Sequence, residues 1–151
     1  VMVAASGTKT AAVAGQIGDG LISTAPDRET VQQFDANGGQ GKPRIGQMTV
    51  CWAPTEPEAK RIVHRIWPNA GLKGELSAEL RTVAHFEQAA KMVTEEMASA
   101  DMPCGPDPEQ HIKAIRQYMD AGFDHIYFHQ VGHDQEGFFR FYEREVLPEL
   151  A

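Results

Sequence analysis

The sequence predicts an α/β fold built on a parallel sheet, and three observations carry that prediction. Short, apolar, β-rich runs recur four times along the 151 residues. Small-residue turns break the chain at their ends, and apolar residues then recur at helical spacing. Strands that alternate with helices in this way need crossover connections, which are right-handed and give parallel pairing.

Residues 1–5 read as the first strand. Ser6-Gly7-Thr8 breaks it, and Ala11, Ala12, Val13 and Ile17 mark a helix. Gly18-Asp19-Gly20 closes that helix in the manner of a C′ glycine, and residues 21–23 form a second strand. Thr24 and Asp27 read as a T-x-x-D start signal with Pro26 in the first turn, opening a helix to about residue 36. After the loop 37–43, residues 45–53 form a third strand with Met48, Val50 and Trp52 alternating to one side. Thr55-Glu56-Pro57-Glu58 is a capping box for a helix reaching about Trp67.

The pattern then loosens, and about 68–104 reads as an insertion with a helix over 83–98 presenting Phe86, Ala89, Ala90 and Val93. Regular alternation returns in a helix over 108–121, apolar through Ile112, Ile115 and Met119 and stopped by Gly122. Residues 125–129 form a fourth strand. Gly132-His133-Asp134-Gln135 opens a last helix whose apolar face uses Phe138, Phe139, Phe141, Tyr142 and Val146. The whole, 1–151, reads as one domain: either a small doubly wound open sheet or half of a barrel, since a complete (β/α)8 barrel takes about 250 residues.

Composition narrows the function class. A net charge of −7 argues against nucleic acid as a partner, which calls for clustered Lys and Arg. No apolar run approaches the roughly 18–20 residues of a membrane span, and the first residues lack the basic start of a signal peptide, so a cytoplasmic location is expected. Cys51 and Cys104 lie far apart in sequence with no CxxC or Cys/His cluster. Both read as ordinary thiols, and no metal site is indicated. The opening Val, set directly on strand-like residues, suggests a fragment.

Val3-Ala4-Ala5-Ser6-Gly7, then Ala14-Gly15 and Gly18-Asp19-Gly20-Leu21-Ile22, resemble a segment of the luciferase-like flavin and deazaflavin oxidoreductases. Ala121-Gly122-Phe123-Asp124-His125, Phe128-His129 and Gly132-His133-Asp134-Gln135 are similar to the F420-dependent glucose-6-phosphate dehydrogenase group in particular. The resemblance spans essentially the whole chain. It implies the C-terminal half of a TIM barrel, strands five to eight, with a missing N-terminal half-barrel that holds the main acid/base residues. Catalytic residues within this chain are therefore unassigned. It also implies coenzyme F420 as cofactor, hydride transfer at C5 of the deazaflavin, a small-molecule substrate and a homodimer.

Ala5, Ser6, Gly7 and Thr8 follow a strand and open a helix, so their backbone N–H groups can face a cofactor phosphate; the other role is a plain βα turn. The pattern is not a dinucleotide fingerprint, because Gly15, Gly18 and Gly20 fall at the helix end. Thr24 follows the second strand at the mouth where barrel ligands sit and is a candidate for substrate, or an N-cap. Sugar-phosphate relatives carry a Lys shortly after this Thr; Pro26 and Asp27 stand here, and an acid argues against glucose 6-phosphate. His129 ends the last strand and is the second substrate candidate, with His133-Asp134 close behind; the structural alternative has Asp134 capping the helix. His64, His85, His111 and His125 read as solvated, and Trp52, Trp67 and the aromatics at 138–142 as packing.

Three functions follow: an F420-dependent oxidoreductase acting on an alcohol or hemiacetal, an FMN-dependent monooxygenase of the same superfamily, or a non-catalytic half-barrel that self-associates through its open sheet.

Overall fold

A computed structural model describes residues 1–74 and 76–150. Four strands, β1 (Met2–Ala4), β2 (Gly20–Ser23), β3 (Arg44–Val50) and β4 (His125–Gln130), form one sheet in the order β1-β2-β3-β4. β1 pairs parallel with β2 and β2 parallel with β3, with Ala4 opposite Ile22 and Ile22 opposite Ile45. The chain divides into two compact units, Val1–Thr49 with Ile112–His129 and Val50–His111 with Gln130–Ala151.

The first unit holds nearly all of the sheet, with α1 (Thr8–Ile17), α2 (Arg28–Phe34) and most of α7 (Pro108–Ala121). Its core is Leu21, Val31, Phe34, Met48, Ile112, Ile115, Tyr118 and Phe123, all buried. α1 and α2 pack closely because Gly15 has no side chain: a Cβ there would lie 2.4 Å from the Phe34 carbonyl oxygen. Strand alternation then sorts the sheet. Leu21, Ser23, Gly46 and Met48 are buried on the helical side, while Ala4, Ile22, Ile45, Gln47 and Thr49 share an opposite face that is half-buried or exposed. β4 is clamped to β3 at its start: Arg44 Nη2 and Nε donate to Asp124 at 2.8 and 3.1 Å, and the Asp124 N–H donates to the Arg44 carbonyl at 2.9 Å. The guanidinium beside it holds the Asp124 carboxyl below the usual carboxylate range.

The second unit contains α3 (Glu56–Ile66), α4 (Leu76–Glu79), α5 (Val83–Ala90), α6 (Glu95–Ser99) and α8 (Gln135–Phe141). Cys51, Ala53, Ala59, Val63, Val93, Ala98, Cys104 and Val131 form one cluster. Fully buried His111 packs edge-on against Phe141 and Tyr142, and Phe138 lies against Tyr142 in turn.

Several expectations are corrected. Thr24 is not a cap: Asp27 caps α2, accepting from the N–H groups of Glu29 and Thr30, and Pro26 lies ahead of the helix. Gly18 ends α1 at φ −89°, so it is required for space, 2.7 Å from the Ala14 carbonyl, rather than for a left-handed backbone. The single helix expected over 83–98 is two helices, because Thr94 starts a new one. Met119 is half exposed and Tyr118 takes the core position; Phe139 is also exposed. His111 is not solvated. Its Nε2 donates to the Gly105 carbonyl, an obligate acceptor at 3.1 Å, so Nδ1 accepts from the Tyr142 hydroxyl at 2.9 Å. Cys51 and Cys104 are neighbours in a parallel bridge, and burial pushes their thiols up to about 11 and about 12.

Candidate functional site

The predicted cofactor residues sit where β1 hands over to α1. Ala5 is buried, and its N–H donates to the Ile22 carbonyl at 2.9 Å, continuing the pairing of β1 with β2 by one residue. The chain then turns outward: Ser6 is exposed, and Gly7 is the N-cap residue of α1 in extended backbone, φ −167° and ψ 164°. The first N–H to join the helical ladder belongs to Ala11, which donates to Gly7 O at 3.0 Å. The amides ahead of it point out of the helix, as at any N-terminus.

What distinguishes this terminus is how little covers it. α2, α3, α5, α6 and α8 each carry a side-chain cap, from Asp27, Thr55, Thr82, Thr94 and Asp134 in turn. α1 has no side-chain cap and no acid in its first turn. A Cβ built on Gly7 would meet nothing within 4 Å. The turn therefore does not need glycine to fit the protein's own atoms, whereas an anion approaching the free amides would need that space. These residues fit a phosphate-bearing cofactor.

The predicted substrate residues lie on two other strand ends of the same unit. Thr24 directly follows β2, and its exposed side chain is free of the capping role. Tyr118, reaching up from α7, lies with its hydroxyl oxygen 2.9 Å from the carbonyls of both Thr24 and Gln47. That one O–H ties the end of β2 to the middle of β3, and burial pushes the phenol up to about 12. The Tyr127 hydroxyl donates to Gln47 Oε1 at 2.8 Å, which places Tyr127 on the open face of the sheet. His129, two residues further along β4 and half-buried, shares that face by alternation.

Tyr118 ties the Thr24 and Gln47 carbonyls together, and Gln47 and Tyr127, which sequence reasoning missed, lie on the face that His129 shares. A signal existed: His125, Tyr127 and His129 alternate along β4 as polar-tipped residues, a pattern that marks one face of a strand. Asp27, three residues after Thr24 in the chain, keeps its charge, because the Thr30 hydroxyl, 2.5 Å away, and two backbone N–H groups hold its carboxyl below the ordinary range. Asp134 caps α8 through Gly137 N–H at 2.8 Å, the structural role, and lies in the other unit with His133. Among the described residues no His, Cys, Asp and Glu group could hold a metal ion, and no helix is long and apolar enough to cross a membrane.

A parallel α/β sheet with an uncapped helix after its first strand and polar side chains at the ends of the neighbouring strands has the architecture of half a barrel. The chain belongs to the luciferase-like monooxygenase family, whose model it matches over residues 1–125. It is similar to the F420-dependent glucose-6-phosphate dehydrogenase of Nakamurella multipartita, 29% identical over 99% of this chain and 48% of that protein. Among solved structures it resembles an F420-dependent secondary alcohol dehydrogenase in complex with an F420-acetone adduct, at a TM-score of 0.76 and 18% identity over 97% of this chain and 47% of that one. It also resembles the coenzyme F420 dependent tetrahydromethanopterin reductase from Methanopyrus kandleri, at a TM-score of 0.65 and 21% identity over 99% and 50%. The chain spans about half the length of the curated relatives it matches.

Proposed function

We propose that these residues are strands five to eight of an F420-dependent oxidoreductase, the C-terminal half of its TIM barrel, with 68–104 as an insertion. The observation that carries this is the bare N-terminus of α1 behind Gly7, in a chain whose relatives are named as F420-dependent. Ser6, Gly7 and Thr8 would hold the cofactor phosphate through backbone N–H groups, with Ala5 fixing the turn to the sheet. When bound, the deazaflavin supplies a two-electron hydride acceptor or donor at its C5. Thr24 and His129 would line the substrate side, and the principal acid/base groups would come from the N-terminal half of the barrel. The substrate is an alcohol or hemiacetal. The charge held on Asp27, three residues after Thr24 in the chain, disfavours a phosphate there, which argues against glucose 6-phosphate. A cytoplasmic homodimer completes the reading.

Fluorescence titration of the complete protein, N-terminal half included, with F420 and FMN in parallel tests this. Saturable F420 binding with none for FMN is the expected result. Preference for FMN would transfer the protein to the monooxygenase branch, and binding of neither would overturn the cofactor reading. A second reading, a half-barrel that self-associates without catalysis, is favoured by Ile22 and Ile45 on the open face of the sheet. Size-exclusion chromatography of the 151 residues as a stable monomer would remove it.

A further inference from the structure

The open face of the first unit carries a polar pair that the predicted site residues do not include. Tyr127 donates its phenolic hydrogen to Gln47 Oε1 at 2.8 Å. Tyr127 is 46% exposed and Gln47 half-buried, so the pair is neither sealed in the core nor fully solvated. Its position is fixed from behind, because the Gln47 carbonyl and the Thr24 carbonyl both lie 2.9 Å from the Tyr118 hydroxyl. Further along the same strand face stands His129.

The hydrogen-bond inventory of this pair is asymmetric. The phenol has spent its donor and keeps acceptor capacity on its oxygen; the Gln47 amide has engaged its oxygen and keeps two N–H donors. Among the described residues no hydrogen bond engages Gln47 Nε2. One acceptor and one donor side by side match a hydroxyl group, which donates to the phenolic oxygen and accepts from the amide. A carboxylate, or a fully ionised phosphate, has no hydrogen to give and would use only half of the pair.

We propose that Gln47 and Tyr127 are specificity-determining residues that read the hydroxyl of an uncharged alcohol or hemiacetal substrate, between Thr24 and His129. This rests on the oxidoreductase reading above and adds the residues that choose the substrate class. A structural role alone, filling the interior of a completed barrel, would make the pair matter for stability and leave ligand response untouched.

The test uses the complete protein with 3-fluorotyrosine placed at position 127, loaded with F420 and followed by fluorine NMR. Isopropanol and glucose are titrated separately as probes. The expected result is a saturable shift of the Tyr127 resonance with at least one of them. Gln47→Glu keeps an acceptor for the phenol and removes both N–H donors, and should raise the half-saturation concentration about tenfold, the loss of one hydrogen bond. Gln47→Leu should do the same without adding a charge, and F420 affinity should be unchanged in both. A Tyr127 resonance silent to both probes, or a response equal in wild type and both variants, overturns the proposal. F420 binding measured in the same samples separates the two failures: a silent resonance with tight F420 binding sinks the role of the pair alone, and absence of F420 binding sinks the reading beneath it.

Discussion

Gly7→Asp sets the two readings of the Ser6-Gly7-Thr8 turn against each other, because they predict opposite signs. In the folded protein the change is tolerated: φ −167° is ordinary extended backbone, and the new Cβ meets nothing within 4 Å. Aspartate is a better N-cap than glycine by a few tenths of a kcal/mol. Its charge gains about 0.3–1 kcal/mol from the helix dipole, and replacing glycine restricts the unfolded chain by about 0.4–1 kcal/mol. Stability should therefore rise by about 1 kcal/mol. Cofactor binding should move the other way. A carboxylate about 4 Å from a phosphate at an effective dielectric near 20 is repelled by about 4 kcal/mol, and solvent screening at this exposed turn reduces that to about 2. The expected loss is about 30-fold in F420 affinity. Thermal unfolding and fluorescence titration of the complete protein read the two quantities. Unchanged affinity would refute the phosphate assignment, and a fall in stability would show that the turn needs glycine for its own sake.

Three further outcomes test the packing. Gly15→Ala would put a Cβ 2.4 Å from the Phe34 carbonyl, a backbone atom that cannot swing aside, so α1 and α2 must separate; the expected cost is about 2–3 kcal/mol by denaturant unfolding. Burial holds His111 below its ordinary value of 6.5, so the unfolded chain binds the proton more readily. The stability from keeping His111 neutral is complete above about pH 6.5 and is lost as pH falls below it, by up to about 1.4 kcal/mol per pH unit. Urea melts from pH 7.5 to 5.5 should show that slope, and His111→Asn should flatten it. Cys51 and Cys104, with thiols raised to about 11 and about 12 by burial, should resist iodoacetamide at pH 8 and react only after denaturation; labelling of the native protein would contradict their placement.

Where local chemistry decides structure, the sequence was readable. α7 runs over Pro108–Ala121 as predicted, since proline suits a first turn and Gly122, at φ +100°, adopts the left-handed stop that other residues avoid. Thr55 caps α3 through Glu58 N–H as its T-x-x-E box requires. Beyond such local misses as the cap of α2 and the break at Thr94, the failures are tertiary. Tyr118 displaces Met119 from the core because its hydroxyl reaches two carbonyls on β2 and β3, which no helical periodicity reveals. The aromatics between positions 138 and 142 cannot all face one side of a helix, and Phe139 is the one left outside. His111 is buried by Tyr142, 31 residues away. The same limit hid half of the candidate site. Thr24 and His129 could be found as residues at strand ends, but Gln47 is a polar residue inside a strand, and only its hydrogen bond with Tyr127, 80 residues away, gives it meaning.

That pairing also bears on whether the open face serves a ligand or another protein surface. A self-associating half-barrel would cover Ile22 and Ile45 favourably, at about 25 cal/mol for each Å² removed from water. It would cover Gln47, Tyr127 and His129 at the same time. The Tyr127–Gln47 bond satisfies one donor and one acceptor, and the two remaining N–H groups of Gln47 would need new partners across the interface or cost about 1–3 kcal/mol if left without them. Two copies meeting through identical faces would meet that requirement twice, with amide facing amide only if the symmetry axis falls beside the pair. A pocket that stays open to water or to a hydroxyl-bearing ligand has no such requirement. The polar content of this face, more than its apolar area, therefore favours a barrel interior that keeps a cavity over a scaffold that closes on itself.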